Sequence, residues 1–154
     1  MKGRFFSIRH CIVLLFGLTP FLAGWLLAAC WARLYWTLFR PLSALLFGAV
    51  WYLLAFLARD LLEDGKQAVL FLNLPALIVM LLVGVQLAQG GFWPAPAGLW
   101  SWYFFLPIGG AFFSNWRGPL APVALPPYLL AFLTMVLISV VFCFDHRGSV
   151  VRRG

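Results

Sequence analysis

The chain is short of charge. Only 10% of its 154 residues are Asp, Glu, Lys or Arg, against 64% with apolar side chains, whereas soluble domains carry about 25% charged residues. A water-soluble globule is excluded. Carboxylates are scarcest: there are four, and Asp60, Glu63 and Asp64 all fall inside the stretch 59–66. No ionisable acid or base stands in the middle of a long apolar run, so the intramembrane charge expected of a proton relay or ion-coupled transporter is missing. Histidine is limited to His10 and His146. H-E-x-x-H, G-x-S-x-G, a phosphate-binding glycine loop and a dinucleotide fingerprint are all lacking. The expectation is a protein that is not an enzyme and holds no cofactor. Cys11, Cys30 and Cys143 sit in or beside apolar runs without any C-x-x-C pair, so no disulfide framework is indicated.

What is present is a series of uncharged runs. A hydrocarbon core of about 30 Å takes about 20 helical residues to cross, so this length holds four or five crossings and no separate soluble domain. The spacing predicts spans over residues 11–31, 41–58, 68–88 and 125–144. The start also imitates a secretory signal, with a lipobox-like Leu27-Ala28-Ala29-Cys30. However, its apolar run exceeds the 7–15 residues of an h-region, and an aromatic, helix-compatible segment follows instead of a polar tether. A retained first helix is expected, kinked at Thr19-Pro20, with a neighbouring group satisfying the carbonyl that proline frees. Pro41 is expected in the first turn of the second span, and Ala44 and Gly48 form a small-xxx-small pair that lets another helix approach closely. The charged stretch 59–66 is expected to turn the chain into a hairpin.

Residues 67–116 carry no charge at all, more than one helix requires. In the third span Asn73 and Pro75 lie together. Asn73 is expected to face protein, bonding a neighbouring helix or repairing its own backbone. Residues 99–113 are too short to span and suit an interfacial or re-entrant segment. Trp93, Trp100, Trp102, Tyr103 and Trp116 bracket it; they are expected as boundary-layer aromatics, or as a site for a lipid tail or quinone centred on 92–116. Arg33, Trp36 and Arg40 share one helical face and are expected at the headgroup layer, in contact with anionic lipid.

The expected fold class is thus an all-α integral membrane protein, a single polytopic domain of four transmembrane helices plus one interfacial or re-entrant aromatic segment. Basic residues choose between counts. Four spans put eight Lys and Arg on one side and three on the other, while five give six against five. The positive-inside bias therefore predicts four, with both termini cytoplasmic in a bacterial-type inner membrane. The formal net charge of +7 is assigned to anionic headgroups and not to nucleic acid, because the basic residues fall in small groups beside apolar runs. That plan is similar to the topology of the quinone-linked disulfide-oxidising membrane proteins, but their outward C-x-x-C is missing here and the similarity implies no shared activity. His10, Cys11, Cys143 and His146 match a tetrahedral ligand set in type; no motif spacing supports it, and no metal is expected. The function expected from these features is a small structural or assembly subunit that holds partner helices of a larger inner-membrane complex through apolar and aromatic faces. The alternative is a lipid- or quinone-binding or transport module.

Overall fold

The structure is a computed structural model and describes residues 7–31, 36–90, 97–109 and 125–145. All of its regular structure is helical: α1 Ile8–Gly17, α2 Thr19–Trp31, α3 Trp36–Leu62, α4 Gly65–Ala88, α5 Ala97–Gly109 and α6 Leu125–Asp145. Three stretches, Ile8–Ala29, Pro41–Leu62 and Gly65–Ala88, are long and apolar enough to cross a membrane.

The first predicted helix is two helices meeting at Leu18. Pro20 has no N–H for the carbonyl of Phe16. The Thr19 hydroxyl donates to that carbonyl instead, at 2.6 Å, so the repair comes from the residue next to the proline. The bend separates two partnerships: α1 packs on α4 and α3, while α2 leans away and makes its most extensive packing with α5. Val13, Gly17, Pro20 and Gly24 are buried along this face, alternating steps of four and three residues. At Gly17 an added methyl would stand 2.5 Å from the Leu72 carbonyl oxygen and 2.8 Å from Pro75 Cγ. At Gly24 it would collide with the Tyr103 carbonyl.

The start of α1, the α3–α4 hinge and the end of α6 lie together at one end. Arg9 Nη1 reaches Glu63 Oε1 at 3.2 Å. The Ser7 amide donates to His10 Nδ1 at 3.2 Å, which leaves Nε2 as the protonated nitrogen, and Nε2 donates to Gln67 Oε1 at 3.2 Å. Gly65, at the start of α4, faces Cys143 so closely that a methyl there would be 2.7 Å from its carbonyl oxygen. Asp64 caps α4 by accepting from the Lys66 amide at 3.0 Å. Glu63 closes α3 in the left-handed region, φ 59°, with its amide on the Arg59 carbonyl. The hairpin expected at 59–66 is therefore formed, and α3 and α6 run parallel to each other and antiparallel to α4.

Two expectations are corrected. Pro41 is not in the first turn of its helix: α3 begins at Trp36 and carries Pro41 inside it, because the aromatic segment before the proline continues the same helix. Nor is Trp102 the exposed boundary-layer ring expected of it, although Trp100 is exposed. From Ser101 to Gly109 every α5 residue except the half-buried Tyr103 is buried in protein. Phe105 meets Tyr128 of α6 edge-on at 5.8 Å, and Phe21 of α2 meets Tyr103 at 6.3 Å. Hydropathy reads the same for rings facing headgroups and rings facing helices, so the sequence pattern could not separate them.

Overpacking a closed helix contact costs about 1–3 kcal/mol. Gly24→Ala is expected to lower stability in detergent by at least that amount. Gly84→Ala, where nothing lies within 4 Å, is expected to leave it unchanged or raise it by up to about 1 kcal/mol. Thermal or SDS unfolding in mixed micelles reads both.

Candidate functional site

Interhelical faces here are built mainly on steps of four, with single steps of three. On α3 the buried positions are Ser43, Phe47, Trp51, Ala55 and Ala58; on α6 they are Tyr128, Ala131, Met135, Ser139 and Cys143. These rows meet in one polar node. Trp51, fully buried, donates its Nε1–H to the Met135 carbonyl at 3.0 Å and to Ser139 Oγ at 3.2 Å, and Ser139 passes its own proton to the Met135 carbonyl at 2.9 Å. One turn on, the Cys143 thiol lies 3.8 Å from the Ala55 carbonyl. With no water available in hydrocarbon, such closed sets hold helices in register.

Toward the other end of α3 the two helices part. Between them opens a groove of about 500 Å³, lined by Pro41, Ala44, Leu45 and Gly48 of α3, Thr134 and Ile138 of α6, and Ile108 of α5. Among the described residues, a methyl added at Gly48 would meet only Ile138 Cδ1, at 4.0 Å. The Ala44–Gly48 pair is thus open, in contrast to Gly17, Gly24 and Gly65, which are closed by the chain's own helices. Thr134 is the only polar residue in the lining among the described residues, and its hydroxyl is committed to the Leu130 carbonyl at 2.8 Å. Such a wall binds by shape and apolar contact and offers no acid, base or nucleophile.

The predicted site residues divide. Trp102 is buried at 6% exposure and Trp100 is exposed at 53%; Tyr103 is half-buried. Of the described residues in the segment 92–116, only Ile108 lines the groove. Trp93, Trp116 and Arg33 lie outside the described residues, and for Trp36 and Arg40 only the helical backbone is described. Asn73 is buried and its Nδ2 donates to the Val69 carbonyl of its own helix at 2.9 Å, so of its two expected roles the amide nitrogen takes the intrahelical one. Its Oδ1 has no partner among the described residues. Pro75 faces α1 at Gly17. Cys11 is exposed and Cys143 buried, both ring nitrogens of His10 are engaged, and His146 lies outside the described residues. Among those described, no three His, Cys, Asp or Glu side chains converge.

Sequence reasoning passed over Trp51 with Ser139, and also Gln86 with Ser101. The last two are fully buried, with Ser101 Oγ donating to Gln86 Oε1 at 3.4 Å across α5 and α4. A signal existed, since Gln86 is an amide three residues from the end of an otherwise apolar run.

Removing an interhelical hydrogen bond in a membrane protein costs about 0.6–1.7 kcal/mol, whereas replacing a buried group that has an orphaned acceptor by an apolar one of similar shape is nearly neutral. Trp51→Phe is therefore expected to lower stability by that range. Asn73→Leu is expected to change it by less than about 0.5 kcal/mol or to raise it. Chemical unfolding of the two variants in mixed micelles checks the ranking.

Comparison with protein-family models, with curated proteins and with solved structures returns no match to this chain.

Proposed function

We propose that this protein is a non-catalytic, membrane-embedded binding module that seats the linear chain of a lipid or quinone-like molecule in the groove between α3 and α6. The observation that carries this reading is the groove itself. Its volume of about 500 Å³ falls in the range of about 300–1,000 Å³ typical of small-molecule sites, and its lining is apolar apart from a hydroxyl already satisfied. In this reading the site moves from the aromatic segment to the neighbouring surface, and the rings of α5 serve as the floor and core that keep the groove open.

The proposed setting is a bacterial-type inner membrane crossed four times, by α1 with α2, by α3, by α4 and by α6. Residues Leu125–Asp145 number 21, about 31 Å of helix, enough for the fourth crossing. The 13 residues of α5 reach about 20 Å and enter without crossing. The hinge end, where Arg9, Arg59 and Lys66 stand near the start of α1 and the end of α6, is assigned to the cytoplasm.

A second reading, the structural or assembly subunit, is favoured by one observation. Small residues four apart on a helix face are a common seat for a partner transmembrane helix, and Ala44 and Gly48 are only half-buried by the described residues and line the groove.

Purification in mild detergent followed by organic extraction and mass spectrometry separates the two. The binding module is expected to yield about one lipid or quinone molecule per chain, as a single groove of this size implies, and to lose it in Gly48→Leu. A stoichiometric membrane-protein partner with no retained lipid, displaced by the same substitution, would establish the subunit reading instead.

A further inference from the structure

We infer that the α3–α6 groove selects its ligand by chain length, taking a medium-length hydrocarbon chain of about eight carbons and leaving the headgroup outside. The inference rests on the binding-module reading and adds the chemical class of the ligand, a single-chain amphiphile. Its first support is that the groove is closed at one end. On α3 the lining runs from Pro41 to Gly48 and stops there. A methyl added at Gly48 would already be in ordinary contact with Ile138 Cδ1, at 4.0 Å, and one turn on stands Trp51, fully buried and bonded to the Met135 carbonyl and to Ser139. Phe47 is buried too and stacks on Trp51 at 6.1 Å. Among the described residues nothing opens further toward the hinge, so a chain enters from the Pro41 end, where the apolar membrane-crossing stretch of α3 begins.

Depth then sets the class of ligand. From Pro41 to Gly48 the helix rises about 10 Å, and an extended carbon chain with bonds of about 1.5 Å advances about 1.25 Å per carbon, which gives about eight carbons. A chain that fills one leaflet of a 30 Å hydrocarbon core reaches about 15 Å. It would have to turn out of the groove at Ile138, which a medium-length chain need not do. Polarity agrees with this assignment. The Thr134 hydroxyl is bonded to the Leu130 carbonyl, and the other lining residues are apolar, so a polar atom carried into the groove would lose its partners on entry. The headgroup therefore stays at the hydrocarbon edge beside Pro41. A partner helix is served less well, because the opening is only about two turns long and the rest of such a helix would lie on the closed contact between α3 and α6.

The test compares ligands that share a headgroup and differ in chain length. Protein solubilised in digitonin, whose steroid body offers no linear chain, is titrated with hexanoyl, octanoyl, decanoyl, dodecanoyl and palmitoyl lysophosphatidylcholine at equal mole fraction in the micelle. Bound lipid per chain is counted by native mass spectrometry. Octanoyl is expected to bind best and palmitoyl about tenfold more weakly, the lower end of what a surplus methylene costs in a hydrophobic pocket. Ile138→Ala removes carbons from the closed end and is expected to move the optimum to decanoyl or dodecanoyl. Gly48→Ala adds a methyl there and is expected to move it to hexanoyl. Ala44→Leu fills the groove and is expected to abolish binding at every length, with unfolding temperatures in digitonin confirming that each variant is folded. Palmitoyl binding as tight as octanoyl in the wild-type protein, or an optimum unmoved in either folded closed-end variant, would overturn selection by length and leave the groove as the binding site. Undiminished binding in folded Ala44→Leu, or no bound lipid on the wild-type protein at any length, would overturn the groove reading itself.

Discussion

A helix too short to reach both faces of a bilayer must hide its ends in protein, because hydrocarbon satisfies none of the amides and carbonyls that every helix leaves unpaired at its termini. In the proposed four-span setting, the packing of α2, α3, α4 and α6 against α5 meets that requirement. The chain meets it by bending. At Leu18 the first helix changes direction, α1 stays against α4 and α3, and α2 swings out far enough for α5 to enter between α2 and α6. Contact is close enough that the Gly24 backbone lies directly on the Tyr103 carbonyl. The proline that permits the bend creates an orphaned carbonyl at Phe16, and Thr19 answers it at once.

The groove follows from the same wedge. Trp51, Ser139 and Met135 clamp α3 to α6 on the hinge side, while Ile108 near the end of α5 stands between the upper parts of the two helices. The groove lies above the clamp, lined by both helices. Side chains that would otherwise close the gap are absent, since Ala44 and Gly48 offer little or no side chain and Thr134 turns its hydroxyl back to its own helix. The floor is stiff because α5 is buried, and the walls are stiff because the clamp is satisfied. A groove with rigid walls and no reactive group suits recognition, which is why binding, not catalysis, is the function proposed.

Much of this architecture is legible in the residues. Uncharged runs mark α1 with α2, α3, α4 and α6. Asp64-Gly65 marks the hairpin, Thr19-Pro20 the bend, and Asn73 beside Pro75 a buried amide. Three features are not legible, each for a physical reason. Aromatic density in α5 has the same hydropathy whether the rings face headgroups or other helices, so its place in the core depends on partners distant in sequence. Pro41 resembles a helix start, yet a proline is tolerated inside α3 when the helix before it has other reasons to form. Ala44–Gly48 and Gly17–Gly24 look alike as pairs of small residues. Only the fold decides that the second pair is filled and the first left open.

Burial of α5 in protein is the claim on which the bend, the clamp and the groove all rest, and amide hydrogen exchange of the protein in lipid nanodiscs tests it most directly. Amides from Ser101 to Gly109 are predicted to exchange as slowly as those from Trp51 to Ala58 in α3, because both segments are helical and remote from water, α5 covered by protein and α3 by protein on one face and lipid on the other. Exchange of the α5 amides at the rate of the Glu63–Asp64 hinge, with α3 still protected, would place α5 at the membrane surface and contradict the account.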